Sequence, residues 1–130
     1  MLKVFISQPM SGRSEEDIIK ERLEEMGKIR MYLGNDVIIL DTYMTNDYVA
    51  LLREENARRN NCMWADGNEY VFMLGSSITA MAKADAVWFT YGSQESTGCM
   101  YEWSIACQAN MRRITQDANG KIYDSEKENE

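Results

Sequence analysis

Leu2-Lys3-Val4-Phe5-Ile6-Ser7, followed at once by Gln8-Pro9-Met10-Ser11-Gly12-Arg13, decides the architecture. The first stretch is short, β-branched and aromatic, which reads as a buried strand. The second breaks it with the only proline of the chain and a glycine. Ser14 then stands where a helix N-cap belongs, with Asp17 placed for a near capping box. Ile18, Ile19, Leu23, Met26, Ile29 and Leu33 recur at helical spacing and predict one apolar stripe, stopped by Gly34-Asn35. Val37-Ile38-Ile39-Leu40 reads as the second strand, ending at Asp41. A strand, a helix-length crossover and another strand predict a parallel pair in a βαβ unit.

Working outward, residues 42–68 are the least regular. A helix over residues 48–59 fits the pairs Glu54/Arg58 and Glu55/Arg59, and Asn60, Asn61, Gly67 and Asn68 predict a loop after it. Leu74, Ile78, Met81 and Ala82 form the stripe of a helix over residues 70–83. Ala86-Val87-Trp88-Phe89 is a third strand, residues 92–98 a polar loop, and residues 99–110 a closing helix. Residues 113–123 predict a weak edge hairpin around Asn119-Gly120, and residues 124–130 a charged, mobile tail. Neither an internal repeat nor an inter-domain linker interrupts the pattern.

Composition narrows the chemistry. The chain has 130 residues, enough for one domain with a real core, and its 45% hydrophobic and 27% charged residues are ordinary for a folded protein. Its apolar runs are too short for a bilayer, and no basic stretch followed by an apolar one predicts a secretory leader. Three cysteines without CxxC spacing then read as reduced thiols. A net charge of −7 argues against a nucleic-acid groove, whereas a single nucleotide needs only a local nest or one arginine. The chain contains no histidine, which removes Ser-His-Asp and Cys-His catalysis and every His-ligated metal site. Acids, bases and nucleophiles must come from carboxylates, thiols, hydroxyls, Lys or Tyr.

Glu102 is the most informative residue. Gly98, Cys99, Glu102, Ile105, Ala106 and Ala109 share one face of the closing helix, small and apolar except for that carboxylate. Turned inward, Glu102 needs a partner, a raised pKa or a solvent-filled pocket; with the helix rotated outward, it is merely solvated. The loop Ser11-Gly12-Arg13-Ser14 could receive an anion on backbone N–H groups and Arg13, although Glu15, Glu16 and Asp17 compete for the same helix start. Asp85, at a helix-to-strand junction, reads best as a turn carboxylate. Asp41 lies past the carboxyl end of the second strand, where open parallel sheets bind ligands. Tyr43 and Trp64 offer either a stacking face for a base or ordinary core packing. Cys99 and Cys107 sit roughly 80° apart around a helix, which argues against a metal pair.

The segment from Lys3 to Gly12 resembles the opening of nucleoside 2-deoxyribosyltransferase-like proteins, in particular a short branch frequent in phages and bacteria. Leu74-Gly75-Ser76-Ser77-Ile78, then Met81, then Ala84-Asp85-Ala86-Val87 resemble its middle segment, and Gly98-Cys99, Glu102 and Ala106 its closing helix. The resemblance implies a flavodoxin-like or Rossmann-like three-layer α/β domain with a parallel sheet of about four to five strands. That domain would span residues 1–115, with a helical or loop insertion over about residues 42–68, leaving residues 116–130 as edge hairpin and acidic tail. It also implies a homodimer or higher homo-oligomer with active sites near subunit contacts. A cytoplasmic setting, in a bacterium or a phage-infected host, goes with it.

In such proteins the helix glutamate attacks C1′ of the sugar, the base leaves, and a second base or water resolves the glycosyl ester. Glu102 takes that place, with Ser77 and Asp85 beside it in the implied catalytic set. Ser7, Gln8, Met10, Ser11, Gly12, Arg13, Asp41, Ser96 and Gly98 form the implied substrate-binding set, and neither metal nor cofactor is implied. The transferases usually carry an aspartate where this chain has Ser96. Serine there, with Gly98 and Tyr101, is similar instead to deoxynucleoside 5′-monophosphate N-hydrolases, which implies a phosphate held by Ser96 and the first loop. Both groups carry an aspartate at the place of Ser77, and a hydroxyl cannot supply an acid near neutral pH. General acid catalysis is worth ~10²–10⁴-fold, so Asp41 or Asp85 would have to substitute. Otherwise the protein is a nucleotide-binding module with little turnover.

Overall fold

The computed structural model describes residues 1–127. Five strands and four α-helices follow one another in the order β1 (Leu2–Ser7), α1 (Glu15–Leu33), β2 (Val37–Ile39), α2 (Asn46–Arg58), α3 (Glu69–Met81), β3 (Ala86–Phe89), α4 (Thr97–Gln108), β4 (Arg112–Gln116) and β5 (Ile122–Asp124). The sheet order is β2-β1-β3-β4-β5, parallel except for β5, which gives a flavodoxin/Rossmann-like three-layer α/β fold. Strand order reverses at β1, so the carboxyl ends of β1 and β3 flank the point where such sheets open to a ligand.

Side-chain alternation along β1 and β3 divides the core in two. Val4 and Ile6 with Ala86 and Trp88 face Ile29 of α1, whereas Phe5 with Val87 and Phe89 faces Met81 of α3 and Ala106 of α4. Ser7 has the parity of Phe5 and ends its strand, which carries a hydroxyl towards the α3/α4 layer. Ser14 caps α1 by accepting from the Asp17 N–H at 3.1 Å, and Gly34, at φ 91°, closes it by donating to the Arg30 carbonyl.

Three expectations are corrected. The buried face of α1 carries Ile18, Arg22, Glu25 and Ile29, while Ile19 and Leu23 are exposed. The helix is rotated from its apolar stripe because its two buried charged residues, Arg22 and Glu25, find partners inside the fold. The edge hairpin read over residues 113–123 is present: β4 pairs antiparallel with β5, which forms the sheet edge, while β4 itself also pairs with β3 and buries Ile114. Residues 124–127 are not a loose tail. Asp124 is buried as the last residue of β5, paired with Arg112 at 2.7 Å and accepting from the Tyr32 hydroxyl at 2.8 Å. The rest of that tail, residues 128–130, lies outside the described residues. Among the helix pairs, Glu55 bonds both Arg58 and Arg59, so the Glu54/Arg58 pair is replaced. No described helix is long and apolar enough to cross a membrane.

Candidate active site

Glu102 faces inward on α4 and is only 6% exposed. Its Oε1 accepts a hydrogen bond from the Ser7 hydroxyl at the end of β1, at 2.7 Å, and its Oε2 accepts one from the Ser77 hydroxyl on α3. Three elements far apart in the chain thus meet on one carboxylate. Burial pushes the Glu102 pKa upward; the Ser77 and Ser7 hydroxyls and the charge of Arg22 oppose it. Cys99, one turn earlier, is buried beside it, and burial raises its thiol pKa as well, keeping it a neutral wall.

The carboxylate borders a cavity of about 300 Å³ at the carboxyl edge of the sheet. Within the range of small-ligand sites, this is the lower end. Of the expected residues, Gln8, Met10, Ser11, Ser77, Ser96, Gly98 and Glu102 line it, and Ser7 reaches it through Glu102. Ser96 caps α4, accepting from the Cys99 N–H at 3.5 Å. A Cβ at Gly98 would meet no atom within 4 Å and would stand in open space, so the glycine keeps this wall open.

The remaining expected residues lie elsewhere. Asp85 is exposed at the amino end of β3, where it accepts from the Lys3 N–H at 2.8 Å; it anchors a turn and is not brought to the cavity. Asp41 is exposed and outside the lining. Gly12, at φ 76°, shapes the first loop without facing the hollow. Arg13 donates from Nη1 to Glu21 at 2.9 Å and to the Pro9 carbonyl at 3.0 Å, so its charge is already paired. Tyr43 bonds Glu15 through its hydroxyl, and Trp64 packs on Phe72 with ring centroids 4.9 Å apart; neither lines the cavity. Among the described residues, no cluster of Cys, Asp and Glu is arranged to hold a metal ion.

Arg22 was not foreseen. It is 4% exposed, donates from Nη1 to Gln8 Oε1 at 3.1 Å, and lies with its guanidinium 5.9 Å from the Tyr43 ring centroid. Burial lowers its pKa, and its Nη2 has no hydrogen-bond partner among the described residues. Gln8 in turn donates from Nε2 to the Ile18 carbonyl and to Glu21, both at 2.9 Å. The amide of Gln8 is therefore consumed by α1, and what remains for a ligand is contact area. Thr42, Met44, Tyr70, Met73 and Leu74 complete the walls and were not read as site residues. The first two precede α2 in a stretch without periodic signal, and the other three lie on α3, whose pattern reads as ordinary helix packing. No protein-family model matches the chain, and comparison with curated proteins returned no significant match.

Proposed function

We propose that the protein acts on the N-glycosidic bond of a (2′-deoxy)nucleoside or its 5′-monophosphate, with Glu102 as nucleophile. The observation that carries this reading is one carboxylate, withdrawn from solvent and oriented by two hydroxyls, at the wall of a sugar-sized hollow. In the first step a Glu102 oxygen bonds C1′ while the C1′–N bond breaks, its electron pair leaving with the base, which takes a proton from solvent. Water or a second base then attacks C1′ and releases Glu102. The Ser7 and Ser77 hydroxyls hold the carboxylate in place, so that little reorganisation precedes attack. The resemblance read from the sequence supports the same assignment.

Lining charge bears on the substrate. Among the described residues no Lys or Arg lines the Glu102 cavity, nor the hollow that continues it along Pro9, Gly92, Glu95 and Thr97. With Arg13 tied to Glu21, the site favours the uncharged nucleoside over the monophosphate. A second reading, binding without turnover, is favoured by one specific observation: among the described residues Glu102 is the sole carboxyl group lining its own cavity, and Glu95 lines only the adjoining hollow. No second acid therefore stands beside Glu102 to protonate the leaving base.

Chromatography of free base after incubation with the common deoxynucleosides and their 5′-monophosphates tests the proposal. Base release that disappears in Glu102→Ala is the expected outcome. Tight nucleoside binding with no base above that control selects the binding reading instead. A homo-oligomer belongs to the same proposal; exposed Tyr70 and Val71 on α3 are consistent with a covered face, and light scattering on the purified chain would read its mass.

A further inference from the structure

A second and larger cavity, about 590 Å³, opens at the carboxyl ends of β3 and β4, and Cys99 borders both hollows. We propose that it is a separate small-molecule site, suited to an uncharged, flat aromatic heterocycle of the nucleobase class. The inference stands on this lining alone and holds whether or not Glu102 turns over a glycoside.

Three features define the occupant. Phe89, Tyr91, Trp103 and Tyr123 give the walls an aromatic character that favours a flat π-system, since stacking and edge contacts add to simple burial. Charge then sorts the candidates. Among the described residues the lining contains no Lys or Arg, and its single carboxylate is Asp117. Asp117 Oδ1 accepts from the N–H groups of Asn119 at 2.8 Å and Lys121 at 3.0 Å, which fixes it in the turn between β4 and β5. The nearest cations, Arg113 and Lys121, lie against the Trp103 and Tyr123 rings, 5.7 and 5.1 Å from the centroids, and not in the lining. A phosphate or carboxylate would therefore meet the Asp117 charge inside the cavity, whereas a neutral ring system carries no charge to oppose it.

Thr90 supplies the third feature. It lines the cavity, is 2% exposed, and its Oγ1 has no hydrogen-bond partner among the described residues, although its N–H is bonded to the Ser7 carbonyl at 3.1 Å. A buried hydroxyl is normally paired. The ring nitrogens and exocyclic amine of a heterocycle offer both an acceptor and a donor to complete it. Few other ligands combine flat faces, neutrality and such an edge.

Adenine is the first probe, with two-dimensional NMR of the labelled chain as the readout. Saturable shifts are expected at the Trp103 indole N–H and the amides of residues 115–118, and they should persist in Glu102→Gln. Thr90→Val should weaken this binding about tenfold by removing the hydroxyl that the site offers, while leaving Tm unchanged or raised, since the lost group had no partner. Tyr123→Ala, at an exposed ring, should weaken it several-fold without unfolding the chain. Adenosine 5′-monophosphate should bind there at least about tenfold more weakly than adenine, a margin that one uncompensated charge readily supplies. The proposal is overturned if adenine leaves these signals unmoved, or if shifts appear solely around Ser7, Ser77 and Gly98. Equal affinity in the Thr90 and Tyr123 variants, or a monophosphate that binds as tightly, overturns it too.

Discussion

Glu25 and Glu102 are both glutamates on helices, 3% and 6% exposed, yet the fold uses them in opposite ways. Glu25 sits on α1 among nitrogen donors: the Trp88 indole at 2.8 Å, the Gln116 amide at 2.9 Å and the Lys28 ammonium at 3.4 Å. Those partners come from β3, β4 and its own helix, so the carboxylate ties α1 to the middle of the sheet, and neither ligand hollow touches it. Glu102 has two hydroxyls, no ion pair within 4 Å among the described residues, and a cavity beside it. Burial alone does not distinguish a structural carboxylate from a chemical one. What distinguishes them is whether the surroundings satisfy the charge or leave it short.

The largest expected effect separates the pair most cleanly. Glu102→Ala should lower kcat/KM for base release by at least ~10³-fold, about 4 kcal/mol at 1.36 kcal/mol per tenfold, while its Tm stays level or rises because an under-compensated buried carboxylate is gone. Steady-state kinetics and a melting curve on the same preparation decide it. A large loss of stability would put Glu102 in the same class as Glu25. Next in size, Glu25→Ala should cost roughly 3 kcal/mol in urea unfolding, because it strands the Trp88 and Gln116 donors. Nucleoside binding measured under folding conditions should stay within about twofold, a difference well below 1 kcal/mol.

The third prediction sharpens the chemical side. Ser77 already reaches Glu102 Oε2, and Ser77→Asp would place a second carboxyl there. Two carboxyls this close cannot both ionise easily, so one proton is shared, as in other paired-acid sites. Base release should rise by roughly 10²-fold, at the low end of general acid catalysis, with the optimum on the acidic side. An unchanged or lower rate would show that leaving-group protonation is not what limits the wild type.

Where the sequence was legible, the signal was local. β1, β3 and the Ser14 cap follow from short-range pattern, and the face of α4 holding Cys99, Glu102 and Ala106 could be read because one carboxylate stood in an otherwise small, apolar stripe. α1 misled for the opposite reason. Arg22 and Glu25 look like surface residues, and their burial depends on Gln8, Trp88 and Gln116, contacts that no helical spacing encodes. β4 was underestimated because Arg-Arg-Ile-Thr-Gln places one apolar residue, Ile114, in the core. Asp124 seemed to begin a solvated tail because its partner Arg112 lies across a hairpin. Ser7 and Ser77 converge on Glu102 through tertiary packing, and only the family resemblance had placed them near the site.

The smallest effect carries the comparison onto the pH axis. Because burial raises the Glu102 pKa, the native state binds the proton more tightly than the unfolded chain does. Between the unfolded and folded pKa values, unfolding therefore releases protons, and stability falls as pH rises. The contribution is fully present below the ordinary glutamate range and is lost once pH passes the raised folded value. Glu102→Gln cannot titrate, so its Tm advantage over wild type should be small at acid pH and grow through that window, measured from about pH 4 to pH 8. Burial and the Ser77 and Ser7 hydroxyls place the window first, and the positive charge of Arg22 adds to the hydroxyls in favouring ionised Glu102. Arg22→Met should shift the fall in stability to higher pH, and in the Glu102→Gln background it should shift nothing. That double-mutant cycle separates charge coupling from the loss of the Gln8 contact, which both backgrounds share. If the Arg22 substitution gives the same pH profile with and without Glu102, the buried guanidinium is a packing element, and the serine hydroxyls alone hold the carboxylate.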